Sequence, residues 1–285
     1  VRARLPRWVN GLALAGLIWL YLPMVAVGVF SLALAGLIWL YLPMVAVGVF
    51  SVNAARHGLS WRGFTLEWYA RLFRNEYVLD AAWNTLVLAV ASTLVATVLG
   101  TLLAIGISRF PWPPGLRRFL DISLYLPVVT PDIILAAALV VALGVLRGIS
   151  DLFKPGLAAM IIGHITFQVA FVALVVQGRL ATIGRALEEA ARDLYADTWT
   201  LLRRVMLPLL MPGIVAGAML AFTLSLDDFV ISFFTAGPDS TTLPIFIYAS
   251  VRRGVTPEIH ALSTLVFLGT VVLAVAVQRL WRVRS

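Results

Sequence analysis

"ALEEAARDLYADTWTLLRRVMLPLLMPGI" occupies residues 186–214 and separates two apolar runs, each long enough to cross a bilayer. Its first half is alanine-rich and carries Glu188, Glu189, Arg192 and Asp193, a composition that favours a helix with a wet face. Glu188 and Arg192 stand i,i+4 in the favourable order. Asp197 is placed to cap a second short helix through Arg204, and Pro208 and Pro212 mark the entry to the next span. The stretch predicts two short helices on one membrane surface, joined near Tyr195 and Ala196. Solvation alone accounts for its charges, because charged helix faces are mostly solvated faces.

The rest of the chain has the composition of a membrane protein. It is 61% hydrophobic and 13% charged, with mean hydropathy +0.96. Soluble domains sit nearer about half apolar and a quarter charged. A helix needs roughly 20 apolar residues to cross the hydrocarbon layer. Beyond the apolar start, five runs qualify, near 83–108, 119–146, 157–180, 207–236 and 261–281. One opening span plus these five predicts an all-α bundle of six. With the N-terminus inside, fourteen basic residues fall on the inner side and eight on the outer. That bias obeys the positive-inside rule. The net charge of +8 therefore belongs to span ends and headgroups rather than to nucleic acid.

Several residues carry candidate chemistry. Asp132 and the pair Asp227–Asp228 lie in or beside apolar runs, where carboxylates usually line a path, cap a break or pair with a cation. Adjacent residues on a helix point about 100° apart, so at most one of the pair faces a path. His164 reads as a satisfied histidine near a helix end. Trp61, Trp68 and Tyr69, in the loop after the first span, suit a membrane–water interface or a docking surface. Cysteine is absent and Lys154 is the only lysine, so no thiolate metal site and no P-loop lysine exist.

The hairpin also resembles the EAA motif of ABC importer permeases. Glu189-Ala190-Ala191 is followed at the family's spacing by Val205, Met206, Leu207 and Pro208. Tyr195 stands where the family usually has glycine, and Val205 stands for isoleucine. "GFTLEWY" (63–69), "LPVVTPDIILA" (126–136), "HITFQVAFV" (164–172) and "FTLSLDDFVISFFTAGPDSTTLPIFIYASVRRGVTPEIHALSTL" (222–265) are similar to permeases of the spermidine/putrescine class.

What the resemblance implies is a type I importer permease in a bacterial inner membrane, with both termini cytoplasmic. It moves a small solute, foremost a polyamine, delivered by an extracytoplasmic binding protein. Its partners are a second permease subunit and an ATPase pair that carries ATP and magnesium, so this chain needs no cofactor. Glu188, Glu189, Ala190, Ala191, Asp193, Tyr195, Leu207 and Pro208 become the coupling segment on the ATPase. Asp227, Asp228 and Asp132 become candidates for the cargo path. The expected divisions are 1–51 (arginine-rich tail and first-span segment), 52–82 (outer loop), 83–281 (core, with the coupling hairpin at 185–208) and 282–285 (inner tail). The same family for another small solute is the first alternative. An ion-driven carrier lacks the inverted repeat such carriers often show. An intramembrane enzyme lacks H-E-x-x-H, and His57, His164 and His260 lie in separate segments.

The opening run poses a separate problem. "LALAGLIWLYLPMVAVGVFS" fills residues 12–31 and again 32–51. Each apolar unit makes about 28 Å of helix, and both together about 58 Å, nearly twice the hydrocarbon thickness. Only Ser31 lies between them, too little for a hairpin turn. The run behind Arg2, Arg4 and Arg7 reads as an uncleaved span rather than a signal peptide. A cytoplasmic coupling hairpin requires one functional span here. The second copy, 32–50, takes that place because it leads into "GFTLEWY", and the first is redundant.

Overall fold

A computed structural model describes residues 31–55 and 60–282. Among these residues the protein is helical, with one isolated bridge between Asn53 and Phe64 and no strand. The helices are α1 (Ser31–Phe50), α2 (Glu67–Leu72), α3 (Glu76–Arg109), α4 (Pro114–Val129), α5 (Asp132–Leu146), α6 (Leu157–Thr182) and α7 (Arg185–Asp193). They continue with α8 (Thr198–Asp227), α9 (Val230–Thr235), α10 (Leu243–Arg253) and α11 (Pro257–Arg282). Among the described residues α1, α3, α6 and α8 are long and apolar enough to cross a membrane, and α4 with α5 makes a fifth span if the bent pair counts as one. The run expected at 261–281 falls in α11, and the sequence stays apolar there through Val277. The first copy of the repeat and its arginine tail lie outside the described residues, apart from Ser31, which opens α1.

The chain forms two compact units, one of Leu72–Gly254 and one of Val1–Arg71 with Val255–Ser285. In the first, α3, α6 and α8 pack together along their length. The buried face of α3 is built of small residues, among them Ala89, Ser92, Ala96, Gly100 and Ala104. Such faces let membrane helices approach closely where lipid removes any hydrophobic drive between them. Val172 of α6 shows how tight the fit is. A Cβ added at Gly100 would lie 2.7 Å from the Val172 Cβ, and one at Gly217 of α8 would lie 3.3 Å from its Cα. Leu94, Val98 and Leu102 of α3 are exposed instead, as a lipid-facing side requires.

Two of the expected spans are broken. The run 119–146 is α4 and α5 meeting at 111°. Pro131 cannot donate a backbone N–H, and its ring drives Thr130 into extended backbone (φ −74°, ψ 130°). The run 207–236 is continuous only through Asp227; Asp228 is extended, and the short α9 follows.

In the other unit, the loop after α1 is internally bonded. The Trp68 indole donates to the Asn53 carbonyl at 2.8 Å, and the Ser51 and Tyr69 hydroxyls are 2.7 Å apart. The Asn53 side-chain oxygen accepts from the N–H groups of Ala55 and Arg62. Trp68 is thus a buried strut rather than an interfacial ring, while Trp61 is exposed.

Candidate functional site

The hairpin forms, with one change from the expected pair of short helices. Only α7 is short. The second arm is the first turns of α8, capped by Asp197, whose carboxylate accepts from the Thr200 N–H at 3.1 Å. Hydrogen bonding by Thr200, through its side chain and then its backbone, holds the Asp197 carboxyl below the usual carboxylate range. The helix does not stop at Pro208. Residues Leu201–Met206 form a wide π turn, and the Leu207 N–H reaches the Leu202 carbonyl, five residues back. Pro208 has no N–H for the Arg204 carbonyl, and its ring would strike that group in a regular helix. One wide turn absorbs the misfit and leaves the arm rigidly continuous with the span.

The joint is a left-handed C-terminal turn. The Tyr195 N–H donates to the Arg192 carbonyl (2.9 Å), and the Ala196 N–H donates to the Ala191 carbonyl (3.0 Å). These two bonds define a Schellman motif, which needs a left-handed residue at its centre. Tyr195 supplies it, with φ at +60°. The tyrosine therefore adopts the conformation for which the family's glycine is suited. Its side chain is 97% exposed.

The other residues expected to form the coupling segment divide by face. Glu189, Ala190, Asp193 and Pro208 are exposed, Leu207 is half-buried, and Ala191 packs against the core of α3, α6 and α8. Leu187, Leu194 and Trp199 add exposed apolar surface on the same hairpin. Glu188 corrects the local expectation. Its carboxylate lies 2.5 Å from the guanidinium Nε of Arg109, the last residue of α3, rather than pairing with Arg192. The contact is an ion pair whose angles are not those of an aligned hydrogen bond. Arg109 Nη2 also donates to the Ile183 carbonyl at 3.2 Å. Nothing in the local sequence marks Arg109, which lies 79 residues from its partner.

The second cluster lies where α8 breaks. His164 of α6 is fully buried. Its Nδ1 is 2.7 Å from the Ser225 hydroxyl, and its Nε2 is 3.0 Å from the Ser232 hydroxyl and 3.2 Å from an Asp228 carboxylate oxygen. That carboxylate also accepts from the N–H groups of Ile231 (3.3 Å) and Ser232 (2.8 Å), so Asp228 caps α9. The neighbouring Gln168 amide donates to the Ala221 carbonyl at 3.1 Å. Asp227 and Asp132 are exposed instead, and both Asp228 and Asp132 are near enough to Asp227 to interact with its charge. Ser225 and Ser232 were not distinguishable in sequence, because a serine in an apolar helix is common and these are 61 and 68 residues from His164.

The fold is that of ABC importer permeases. A bacterial ABC transporter involved in the import of the acidic polysaccharide alginate matches with a TM-score of 0.70 at 22% identity, over 92% of this chain and 95% of that one. A chain of the MetNI methionine ABC transporter, in an inward-facing conformation, matches at 0.60 and 21% identity, over 78% and 100%. Residues 96–283 match the family of binding-protein-dependent transport system inner membrane components, and the chain belongs to that family. It is similar to the spermidine/putrescine transport system permease protein PotC of Escherichia coli, with 39% identity over 81% of this chain and 84% of that one. The putrescine transport system permease protein PotI of the same organism is 38% identical over 93% and 86%. The molybdenum transport system permease protein ModB of Mycobacterium bovis is 30% identical over 89% and 86%. The chain is thus a transport permease, and ATP hydrolysis in such importers belongs to a separate ATPase.

Proposed function

We propose that this chain is the membrane subunit of an ATP-driven importer for polyamines such as spermidine or putrescine. The observation that carries the transport half is the exposed hairpin whose second arm runs unbroken into α8. A partner ATPase that pulls on Glu189, Ala190, Asp193 and Tyr195 moves a span through the hydrogen-bonded turn at Tyr195, whose far arm is the start of α8 itself. ATP and magnesium reside on that ATPase, and this chain holds no cofactor. A second permease subunit completes the path, and an extracytoplasmic binding protein loads it. The topology is six spans in a bacterial inner membrane with both termini cytoplasmic. The first span is the second copy of the repeat.

The cargo half is supported by the polyamine names of the relatives and by the carboxylates at the two breaks. Asp228 is engaged in capping α9 and contacting His164, so its part is to hold the break in shape. Asp227 and Asp132, both exposed beside the breaks, provide negative charge for an ammonium group. Permeases of this family for other solutes exist, as the molybdenum relative shows by name, which makes a different small solute the second reading.

The test is reconstitution with the cognate ATPase, second permease and binding protein in proteoliposomes. ATP-driven uptake of labelled spermidine or putrescine is expected. Asp227→Asn is expected to lower uptake at sub-saturating cargo about tenfold, the equivalent of roughly 1.4 kcal/mol. Full uptake by both Asp227→Asn and Asp132→Asn would remove the carboxylates from the path.

A further inference from the structure

We infer that Arg109 and Glu188 form a second mechanical link from the coupling hairpin into the bundle, delivering its motion to α3 as well as to α6 and α8. The inference rests on the importer reading above and adds a positioning role for Arg109, a residue outside the hairpin. Chain continuity already ties α7 to two spans. Ile183 and Gly184 connect it to α6, and residues 194–197 connect it to α8. The inner end of α3 has no such covalent tie, although α3 packs along both of the other spans.

Arg109 supplies the missing connection at two points. Nε meets the Glu188 carboxylate on α7, and Nη2 meets the Ile183 carbonyl on the linker. The two contacts straddle Gly184, so α7 cannot swing about that linker without straining one of them. The guanidinium reaches both acceptors at once through separate nitrogens, Glu188 as an ion pair and Ile183 as a hydrogen bond, which a compact lysine ammonium does less well. The site also suits a cation, because Arg109 ends α3, where unpaired carbonyls carry partial negative charge. Side-chain exposures of 18% for Arg109 and 14% for Glu188 place the pair largely out of water. Screening by salt is weaker there than between exposed charges. The chain just after Arg109 folds back on the end of α3. The Trp112 indole donates to the Gly106 carbonyl at 2.9 Å, and its ring lies 4.8 Å from that of Phe110.

The consequence is that α3, α6 and α8 respond to the hairpin as one body. Breaking the link leaves a hairpin that still meets an ATPase but moves the bundle less per cycle. The readout is cargo taken up per ATP hydrolysed, measured in the complete importer in proteoliposomes. Arg109→Gln and Glu188→Gln are each expected to lower that ratio several-fold, and the double variant to do no worse than either alone. Arg109→Lys is expected to fall between them and the parent. The parent has no cysteine, so Arg109→Cys with Glu188→Cys can be joined by a short bis-maleimide. The bridge is expected to restore the ratio in the same preparation, which separates loss of the link from misfolding. A parent-like ratio in Arg109→Gln, losses that multiply in the double variant, or a bridged pair that stays uncoupled would each overturn the link. Absence of ATP-driven uptake by the parent complex would instead overturn the importer reading itself.

Discussion

Tyr195 is the residue where family pattern and local physics are in sharpest tension. The Schellman turn requires a left-handed backbone, and an L-residue with a Cβ bears about 1–2 kcal/mol of strain there. The side chain is almost wholly exposed, so no packing within the chain offsets that strain. Glycine removes it but gives the unfolded chain more freedom, which opposes the gain by up to about 1 kcal/mol. Tyr195→Gly is therefore expected to leave the turn intact and to raise stability by up to about 1 kcal/mol. Tyr195→Val, with a branched Cβ, is expected to lower it by a similar amount. Thermal unfolding of the purified permease measures both. A fall in melting temperature for the glycine variant would mean that the ring has a role in the free chain that its exposure does not show. The same scale explains Asp228. Next to each other in sequence, Asp227 and Asp228 differ in surroundings because only Asp228 meets the free N–H groups of α9 and the His164 ring.

Among the elements, α3, α6 and α8 depend on close approach, and Gly100 is one of its tight points. A Cβ there would lie 2.7 Å from the Val172 side chain and 2.9 Å from the Val169 carbonyl oxygen. The second neighbour is backbone and cannot turn aside. Gly100→Val is expected to cost about 1–3 kcal/mol, with Val172→Ala recovering only part of the loss. A denaturant or thermal double-mutant cycle reads this, and full recovery would show that the backbone contact is soft. The helices themselves were legible in sequence because hydropathy is a local property that survives in the fold. The α4–α5 bend was less plain, although Pro131 is the residue that makes it. The continuation of α8 through Pro208 was not legible, since a proline usually ends a helix and no local signal marks the wide turn at Leu201–Met206 that spares this one. The hairpin was legible as local structure. The helix with a wet face that carries Glu189 and Asp193 follows from local composition, whereas the pairing of Glu188 with Arg109 and of His164 with Ser225 depends on which helices become neighbours.

At the scale of the whole molecule, the repeated opening governs how the chain threads the membrane. The second copy forms α1, an apolar helix of 20 residues with no part of its apolar window buried. Its letters are those of the first copy, so removing residues 12–31 takes only Ser31 from α1 and leaves the rest of that helix in the same context on its C-terminal side. On the other side the change is favourable. Arg2, Arg4 and Arg7 then stand a few residues before the span rather than beyond a second apolar run, which is where inner-side arginines orient a helix. The deletion variant is expected to insert with its N-terminus inside and to keep the parent's ATP-driven uptake. Orientation can be read by adding single cysteines to the cysteine-free chain. Ala3→Cys should resist a membrane-impermeant maleimide added from outside, and Ser150→Cys, in the predicted outer loop, should react. Loss of uptake on deletion, or labelling at position 3, would mean that the first copy itself crosses the membrane, and the six-span order would fail with it.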